Sequence, residues 1–504
     1  MDTIETLKQD VREGRISAER LVDLVVDLSR KLEAANQRIE ELQKQCGGTP
    51  TAKVDEPFSM RAEEKRQEAR GKKKRKRKPK GRRGRVSTAD KVAQAERTEA
   101  VYPAGVSPDA CRLSHVRPVW RLEQRRAVLV AYQIYRGPGN RYGQIPGVLG
   151  RSEFGIELML AIAYQVYVVG LSFDKVCLLL AFFVNLKLGK SQAEALLKQL
   201  ARRWEKEFDV LCLLLAHSLL VQTDETSWSI RSVWVFLSEK VRVLCFGVRK
   251  DADTLREILD LTTFAGILIS DDAAVYANFK RSQKCWAHLL RKAIKLTLMD
   301  PTNAEYRQFL DRLLEIYHAA CRVRRDGRLG VEGRQKKVTA LENEVFDLCI
   351  AMWAAELPPS QGLENDYRLL CNELMRLMLA DQLFTFVTAE PVPQPNGGMM
   401  AVPGTNNESE RTLRSPAEAR NTRRTSKTPR GARRRTVITS VLESLRNHLA
   451  TFTLSSVIEE VRRWYEGGRS CFARLAEELG LTIADSPSGG RSSVLDRVLP
   501  VPDG

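Results

Sequence analysis

The chain has 504 residues, more than one hydrophobic core ordinarily supports, so two or more domains are expected. A hydrophobic fraction of 43% excludes a wholly disordered chain, and ten scattered cysteines without a CxxC pair exclude a disulfide framework and an ordinary zinc ribbon. The net charge of +18 resides in residues 72–85, with eleven positive charges and no acid, and 411–435, with ten against Glu418 alone; such runs suit a polyanion, and without interleaved apolar residues they argue against a membrane surface.

The N-terminus, MDTIETLKQD, is polar and acidic rather than a secretory signal, so reduced thiols in the cytoplasm are expected. Ala18, Leu21, Val25, Leu28, Leu32, Ala35, Ile39 and Leu42 then alternate spacings of three and four, a heptad seam. With Cys46-Gly-Gly and a polar linker directly after it, the seam is expected to self-associate as a coiled coil rather than pack on a neighbouring core. From Gly47 to about Ala100 the chain is polar and charge-rich, and disorder is expected there.

Residues 113–135 have strand character, clearest in AVLVAYQIY (127–135). Helices are expected near 153–170, 172–184 and 191–206, the last opened by a capping box of Ser191 and Glu194 after the Leu188-Gly189-Lys190 turn. This pair is compatible with a helix-turn-helix on DNA and equally with plain packing, the earlier helix being nearly all apolar. The most apolar stretch, Leu158 to Leu186, is interrupted by Asp174 and Lys175 and reads as buried helices rather than a membrane span.

Residues 211–248 change period: CLLLAHSLLVQTDET, VWVFLS and VRVLCFGV read as three strands with hairpin-like connections. A helix over 253–259 and a strand over 265–272 follow, after which CWAHLLRKAIKL (285–296) opens a helical block reaching about Phe384. The Pro/Gly-rich break at 390–404 precedes the second basic segment, helices around 436–479 and a tail expected to be disordered after Ile483. The expected segments are therefore 1–46, coiled coil; 47–100, basic linker; 101–210, strand-plus-helical region; 211–450, an α/β region containing a helical block at about 297–385; and 451–504, helices and tail.

Asp224 and Asp271 each close an apolar strand, in VQTDET and ILISDD. Strand-end carboxylates can converge on divalent ions for phosphodiester chemistry, and they can equally be turn-forming or capping acids. Spacing alone leaves both readings open.

The ordered pieces resemble the insertion sequence 66 family of transposases. They are Thr223-Asp224-Glu225-Thr226; Trp234 and Phe236; Gly266 through Asp271 with Tyr276; Cys285-Trp286-Ala287-His288 with Arg291-Lys292; and Asn406-Asn407 with Glu410 and Arg414. A stretch from Arg430-Gly431-Ala432 through Ser440, Glu443 and Ser444 also looks like that family, and the match covers roughly residues 150–450. The resemblance implies a ribonuclease H-like catalytic core over 211–450, with the helical block at about 297–385 as an insertion and a DDE triad, here Asp224, Asp271 and Glu410, holding magnesium or manganese in a two-metal site. Asp272 rivals Asp271, and Glu408 and Glu418 rival Glu410; position within the family motifs favours the named three.

It further implies double-stranded DNA as partner, both transposon ends and target, a homo-oligomer, no membrane, and room for accessory proteins encoded by the element. His288 and Arg291 share a helix face, directed to DNA phosphate or to the carboxylates, or else lying on an ordinary packed helix. With Lys292, Arg414, Arg423, Arg424, Lys427 and Arg430 they are the expected DNA contacts; Arg420, Arg433, Arg434 and Arg435 belong to the same basic cluster. Trp286 is expected to be a packing residue.

Two positions depart from the family pattern. Only Cys111 and His115 stand where members commonly carry a zinc motif, so no structural zinc is expected. Glu408 replaces a usually basic residue and adds negative charge near the proposed triad. The activity implied is metal-dependent cleavage at transposon ends followed by strand transfer into target DNA. The alternative is a catalytically inactive, transposase-derived DNA-binding protein.

Overall fold

A computed structural model describes residues 86–260, 262–354, 362–394, 397–483 and 493–500, with Arg30 alone from the preceding region. The coiled coil expected over 18–42 and the basic run 72–85 lie outside the described residues. Regular structure begins inside the stretch whose composition suggested disorder to about Ala100. Helix α1 (Thr88–Ala93) is opened by a capping box in which Ser87 and Asp90 satisfy each other's main-chain N–H. Strand β1 (Arg97–Val101) pairs in parallel with β3 (Arg126–Arg136), which also pairs antiparallel with β2 (Arg112–Glu123). The neighbouring strand, which composition does not reveal, stabilises β1.

Helix α2 (Ile156–Ala163) runs into a single π turn, and the buried Arg121–Glu157 ion pair at 2.7 Å joins it to β2. Helix α3 (Phe173–Val184) stops at Asn185, whose left-handed φ of 54° ends the turn. Helix α4 (Lys190–Ala216) departs from the sequence expectation at both ends. Gly189, not Ser191, is its N-cap, and the Gln192 side chain accepts the Gly189 N–H at 2.9 Å. The apolar CLLLA segment continues the helix, so the next strand starts at Leu220 rather than near 211.

The central sheet comprises β4 (Leu220–Ser227), β5 (Ser232–Ser238), β6 (Arg242–Val248), β7 (Ile267–Ser270) and β8 (Ser282–Lys284) in the order β6-β5-β4-β7-β8. Its first three strands form an antiparallel meander, while β7 and β8 lie parallel to β4, reached through the crossover helix α5 (Ala252–Ile258). Side-chain alternation divides β4 and β7 between two cores. Val221 and Leu268 join the larger core with α4, whereas Leu220, Ile267 and Ile269 face a helical block.

That block follows β8: α6 (Trp286–Met299), α7 (Ala304–Arg325), α8 (Val331–Ala354), α9 (Leu363–Leu379) and α10 (Thr385–Thr388). It has its own buried centre of Leu313, Cys349 and Leu374. It is seated on the sheet by main-chain and side-chain bonds: Lys284 N–H to the Gln382 carbonyl at 2.8 Å, and Phe386 N–H to the Gln283 side-chain oxygen at 2.8 Å. Trp286 is fully buried against Tyr317 and Phe384, a packing residue.

After the short hairpin β9 (Val392–Pro393) and β10 (Met399–Met400), the chain returns as α11 (Asn407–Asn421) and α12 (Pro429–His448). Helix α12 covers the exposed edge of the sheet with a ladder of hydroxyls four residues apart. Thr436, Ser440 and Ser444 accept the N–H groups of Phe246, Leu244 and Arg242 at 2.9, 2.9 and 3.0 Å. The close approach requires glycine at 247, where φ is +78° and an added Cβ would lie 2.9 Å from that of Ala432. Helices α13 (Leu454–Tyr465), α14 (Cys471–Glu478) and α15 (Val494–Val498) complete the larger core. Helix α15, with Leu495 and Val498 buried, falls within the tail expected to be disordered. Among the described residues no helix is long and apolar enough to cross a membrane.

Candidate active site

The parallel register pairs Gln222 with Ile269, so two residues further on Asp224 comes opposite Asp271. By alternation both carboxylates lie on the face carrying Leu220, Ile267 and Ile269, the side of the helical block. Helix α11 brings the third acid. Its N-cap residue Asn406 is fully buried and makes no side-chain cap bond; instead its amide donates to the Thr223 carbonyl at 2.7 Å. The Asn406 N–H meets Cys285 Sγ at 3.1 Å, and the Cys285 N–H donates to the Ser270 carbonyl at 2.9 Å. The residues preceding Asp224, Asp271 and Glu410 are thus joined through one hydrogen-bonded junction.

The electrostatics follow from this crowding. Burial pushes the Asp224 carboxyl up to about 7; the negative charges of Glu225, Asp271 and Glu410 add to the rise, opposed by the N–H of Glu225. Glu410 is held from the other side by helix α6: Arg291 donates to its Oε1, and His288 Nδ1 lies 3.6 Å from the same oxygen. Burial and the neighbouring Arg291 hold the His288 imidazole below its usual range.

Two of the three rival acids are engaged elsewhere. Asp272 pairs with Arg376 of α9, and Glu408 pairs with Arg242 at 3.3 Å and Arg411 at 3.0 Å. The extra negative charge of Glu408 is therefore compensated locally rather than added to the Asp224 cluster.

Other participants escape a sequence reading. On the opposite face of β4, Glu225 is buried, paired with Lys250 at 2.5 Å and accepting the Tyr276 hydroxyl. Buried Lys284 donates to Ser270 Oγ at 3.2 Å and to the Asp271 carbonyl at 3.1 Å, fixing the turn that carries Asp271. Only the Glu225 of TDET and the tyrosine five residues after Asp271 hinted at the first network; Lys284 gave no signal. A cleft of about 240 Å³ is lined by Asp271, Asp272, Lys284, Cys285, His288 and Glu373.

The expected DNA contacts divide. His288 and Arg291 stand beside Glu410, and Lys292 is paired with Glu373 at 2.7 Å. Arg414 and Lys427 are exposed; Arg423 and Arg430 are exposed in and just after the α11–α12 turn, and Arg424 donates to the Gly170 carbonyl at 3.0 Å. That turn sits on the β4–β5 hairpin through Ser229 Oγ and the Ser426 carbonyl, 2.9 Å apart, and Arg420 donates to the Ser227 carbonyl at 3.1 Å. Three other cations of the cluster are committed to the fold. Arg433 pairs with Glu205 and Asp496, Arg434 bonds Tyr167 and Glu194, and buried Arg435 lies between the rings of Trp228, Phe246 and Tyr167.

Asp224 and Asp271 thus end adjacent parallel strands, Glu410 lies on the helix tied to them through Asn406, and burial, with the neighbouring acids' charge added, raises the Asp224 carboxyl; carboxylate oxygens are the ligand type that a hard divalent cation prefers. No curated protein matches the chain. The model of the Transposase IS66 family matches residues 151–434, more than half of the sequence, and the chain belongs to that family.

Proposed function

We propose that the protein is a DDE transposase that cuts DNA at the ends of its element and joins the freed 3′-hydroxyl ends to target DNA. Family membership supports a DNA-cleaving, DNA-binding enzyme. The observation that carries the finer reading is the raised Asp224 carboxyl beside Asp271 and Glu410. A bound cation would offset both the burial that chiefly raises Asp224 and the added charge of its acidic neighbours. The meander-then-parallel order of the sheet, with acids on the first and fourth strands, supports a ribonuclease H-like core.

Asp224, Asp271 and Glu410 would hold magnesium or manganese, which when bound activates an attacking oxygen and stabilises a leaving one. Arg291 balances the charge of Glu410 and offers a donor to a phosphate entering the cleft. The exposed cations around the α11–α12 turn, about 10 Å along β4 from Asp224, engage the DNA backbone without reading sequence. In cleavage a water oxygen bonds to phosphorus as the P–O3′ bond at the transposon end breaks, leaving a 3′-hydroxyl and a 5′-phosphate; in joining, the 3′-oxygen bonds to a target phosphorus, whose own 3′-oxygen leaves as hydroxyl. Double-stranded DNA, other copies of the chain and accessory proteins of the element are the partners of this reading, and the bacterial cytoplasm is its compartment.

The test is Asp224→Asn assayed for nicking and joining of end-bearing DNA with magnesium or manganese. The expected result is loss of both reactions with salt-sensitive DNA binding retained. Wild-type cleavage by the variant would sink the assignment. A wild-type chain that binds but never nicks would favour the inactive, DNA-binding alternative.

A further inference from the structure

Cys285, His288 and Glu410 each present a ligand atom within 4.8 Å of the other two. Cys285 is the N-cap of α6 and His288 lies three residues on, so thiol and imidazole share the first turn of one helix. Glu410 arrives from α11, its Oε1 3.6 Å from His288 Nδ1. A tetrahedral zinc site has Zn–S of about 2.3 Å and Zn–N and Zn–O of about 2.0–2.2 Å, which places ligand atoms roughly 3.3–3.8 Å apart. The cluster therefore needs only small side-chain adjustments to reach that geometry.

Three surrounding features fit a metal. The Asn406 N–H already donates to Cys285 Sγ at 3.1 Å, the arrangement that steadies a thiolate. Cys285 and His288 line the 240 Å³ cleft, a route by which an ion can reach them. A cation already occupies the cluster, since the Arg291 guanidinium contacts both Glu410 and His288. Its side chain is 53% exposed, so it can swing into solvent.

We infer that Cys285, His288 and Glu410 form a second metal site, selective for a soft divalent ion such as zinc, that shares Glu410 with the proposed carboxylate triad. Thiolate and imidazole favour zinc over magnesium, whereas the three carboxylates favour magnesium or manganese. The two occupancies compete for one side chain, so zinc acts as an inhibitor of the magnesium-dependent reaction. That inhibition, though not the binding, rests on the triad reading given above.

The experiment titrates cobalt(II), a spectroscopic substitute for zinc, into the full-length metal-free protein under a non-thiol reductant. The expected result is a thiolate-to-cobalt charge-transfer band saturating at about one equivalent, bleached by zinc and unaffected by magnesium. The band disappears in Cys285→Ser, weakens severely in His288→Ala and persists in Asp224→Asn. Absence of the band in the wild type, or its full retention in Cys285→Ser, overturns the site. If Cys285→Ser does not fold, His288→Ala decides: cobalt binding at wild-type affinity overturns the proposal. In the parallel assay, stoichiometric zinc suppresses magnesium-dependent nicking. A cobalt band in a protein that never nicks leaves the site standing and removes the triad reading.

Discussion

The side-chain amide of Asn406 donates to the main-chain carbonyl of Thr223 at 2.7 Å, joining residues on either side of the helical block. This bond sets Glu410 against Asp224, since each acid follows its partner in the bond within one helical turn or one residue. Asn406→Ala would leave a buried carbonyl unpaired, costing about 1–3 kcal/mol. Nicking is expected to fall further than the folded fraction does, because Glu410 loses its register with the strands. Urea denaturation beside a metal-dependent nicking assay separates the two effects. A folded variant with wild-type nicking would show that this bond does not position the site.

Asp224 gives the metal-free protein an unusual pH dependence. Its native carboxyl titrates near 7 rather than at the ordinary value of 3.8, so between those values the folded chain holds a proton that the unfolded chain has released. Stability contributed by this group is therefore greatest below pH 4 and is lost as pH rises to about 7 and beyond, by roughly 4 kcal/mol at most. In EDTA, Asp224→Asn is expected to be more stable than the wild type at pH 8 and little different near pH 4. Magnesium should stabilise the wild type at pH 8 and barely affect the variant. Denaturation curves at both pH values, with and without metal, check this; a wild type whose metal-free stability does not decline over that range would refute it.

These relationships also explain what was legible before the structure. Asp224 and Asp271 close apolar strands, and alternation follows from their sequence positions alone. The start of β4 was not legible, because CLLLA is apolar on every side and reads equally as strand or buried helix. Nor was the commitment of Arg433, Arg434 and Arg435, which lie in a run that composition assigns wholly to DNA. Except for Asp496, 63 residues after Arg433, their acidic and aromatic partners come from parts of the chain more than 180 residues earlier. Lys284 and the Glu225–Lys250–Tyr276 network are likewise products of tertiary packing.

The hydroxyl ladder of α12 makes a stability prediction far from the chemistry. Ser440 Oγ accepts the Leu244 N–H at 2.9 Å and donates to the Leu244 carbonyl at 3.2 Å, in a fully buried position. Ser440→Val strands both main-chain groups and adds a methyl where helix and strand already touch. The expected loss is about 2–4 kcal/mol, more than for a surface serine. Thr436→Val, nearly isosteric, removes only the Phe246 N–H partner and should cost less, about 1–2 kcal/mol. Urea midpoints in the reverse order would contradict the ladder as the support of the sheet edge.

Finally, the division of the basic cluster can be read from salt dependence. Lys427 is exposed beside the hairpin, and as a phosphate contact it should contribute about 0.9 to the slope of log K against log salt. Lys427→Ala is then expected to flatten that slope by about this amount while leaving the melting temperature unchanged. Arg433 should behave oppositely. It is largely buried, 3.0 Å from Glu205 and 2.5 Å from Asp496, so Arg433→Ala removes the partner of two acids in the packing of α12, α4 and α15. Its melting temperature should fall, by the equivalent of roughly 1–3 kcal/mol, with the salt slope of the folded protein intact. Fluorescence anisotropy on duplex DNA over a salt series, with thermal melts of each variant, reads both quantities. If Arg433→Ala flattens the slope and Lys427→Ala does not, the DNA-facing surface lies on the other side of α12, and the cations beside the β4–β5 hairpin are not the ones that hold the backbone.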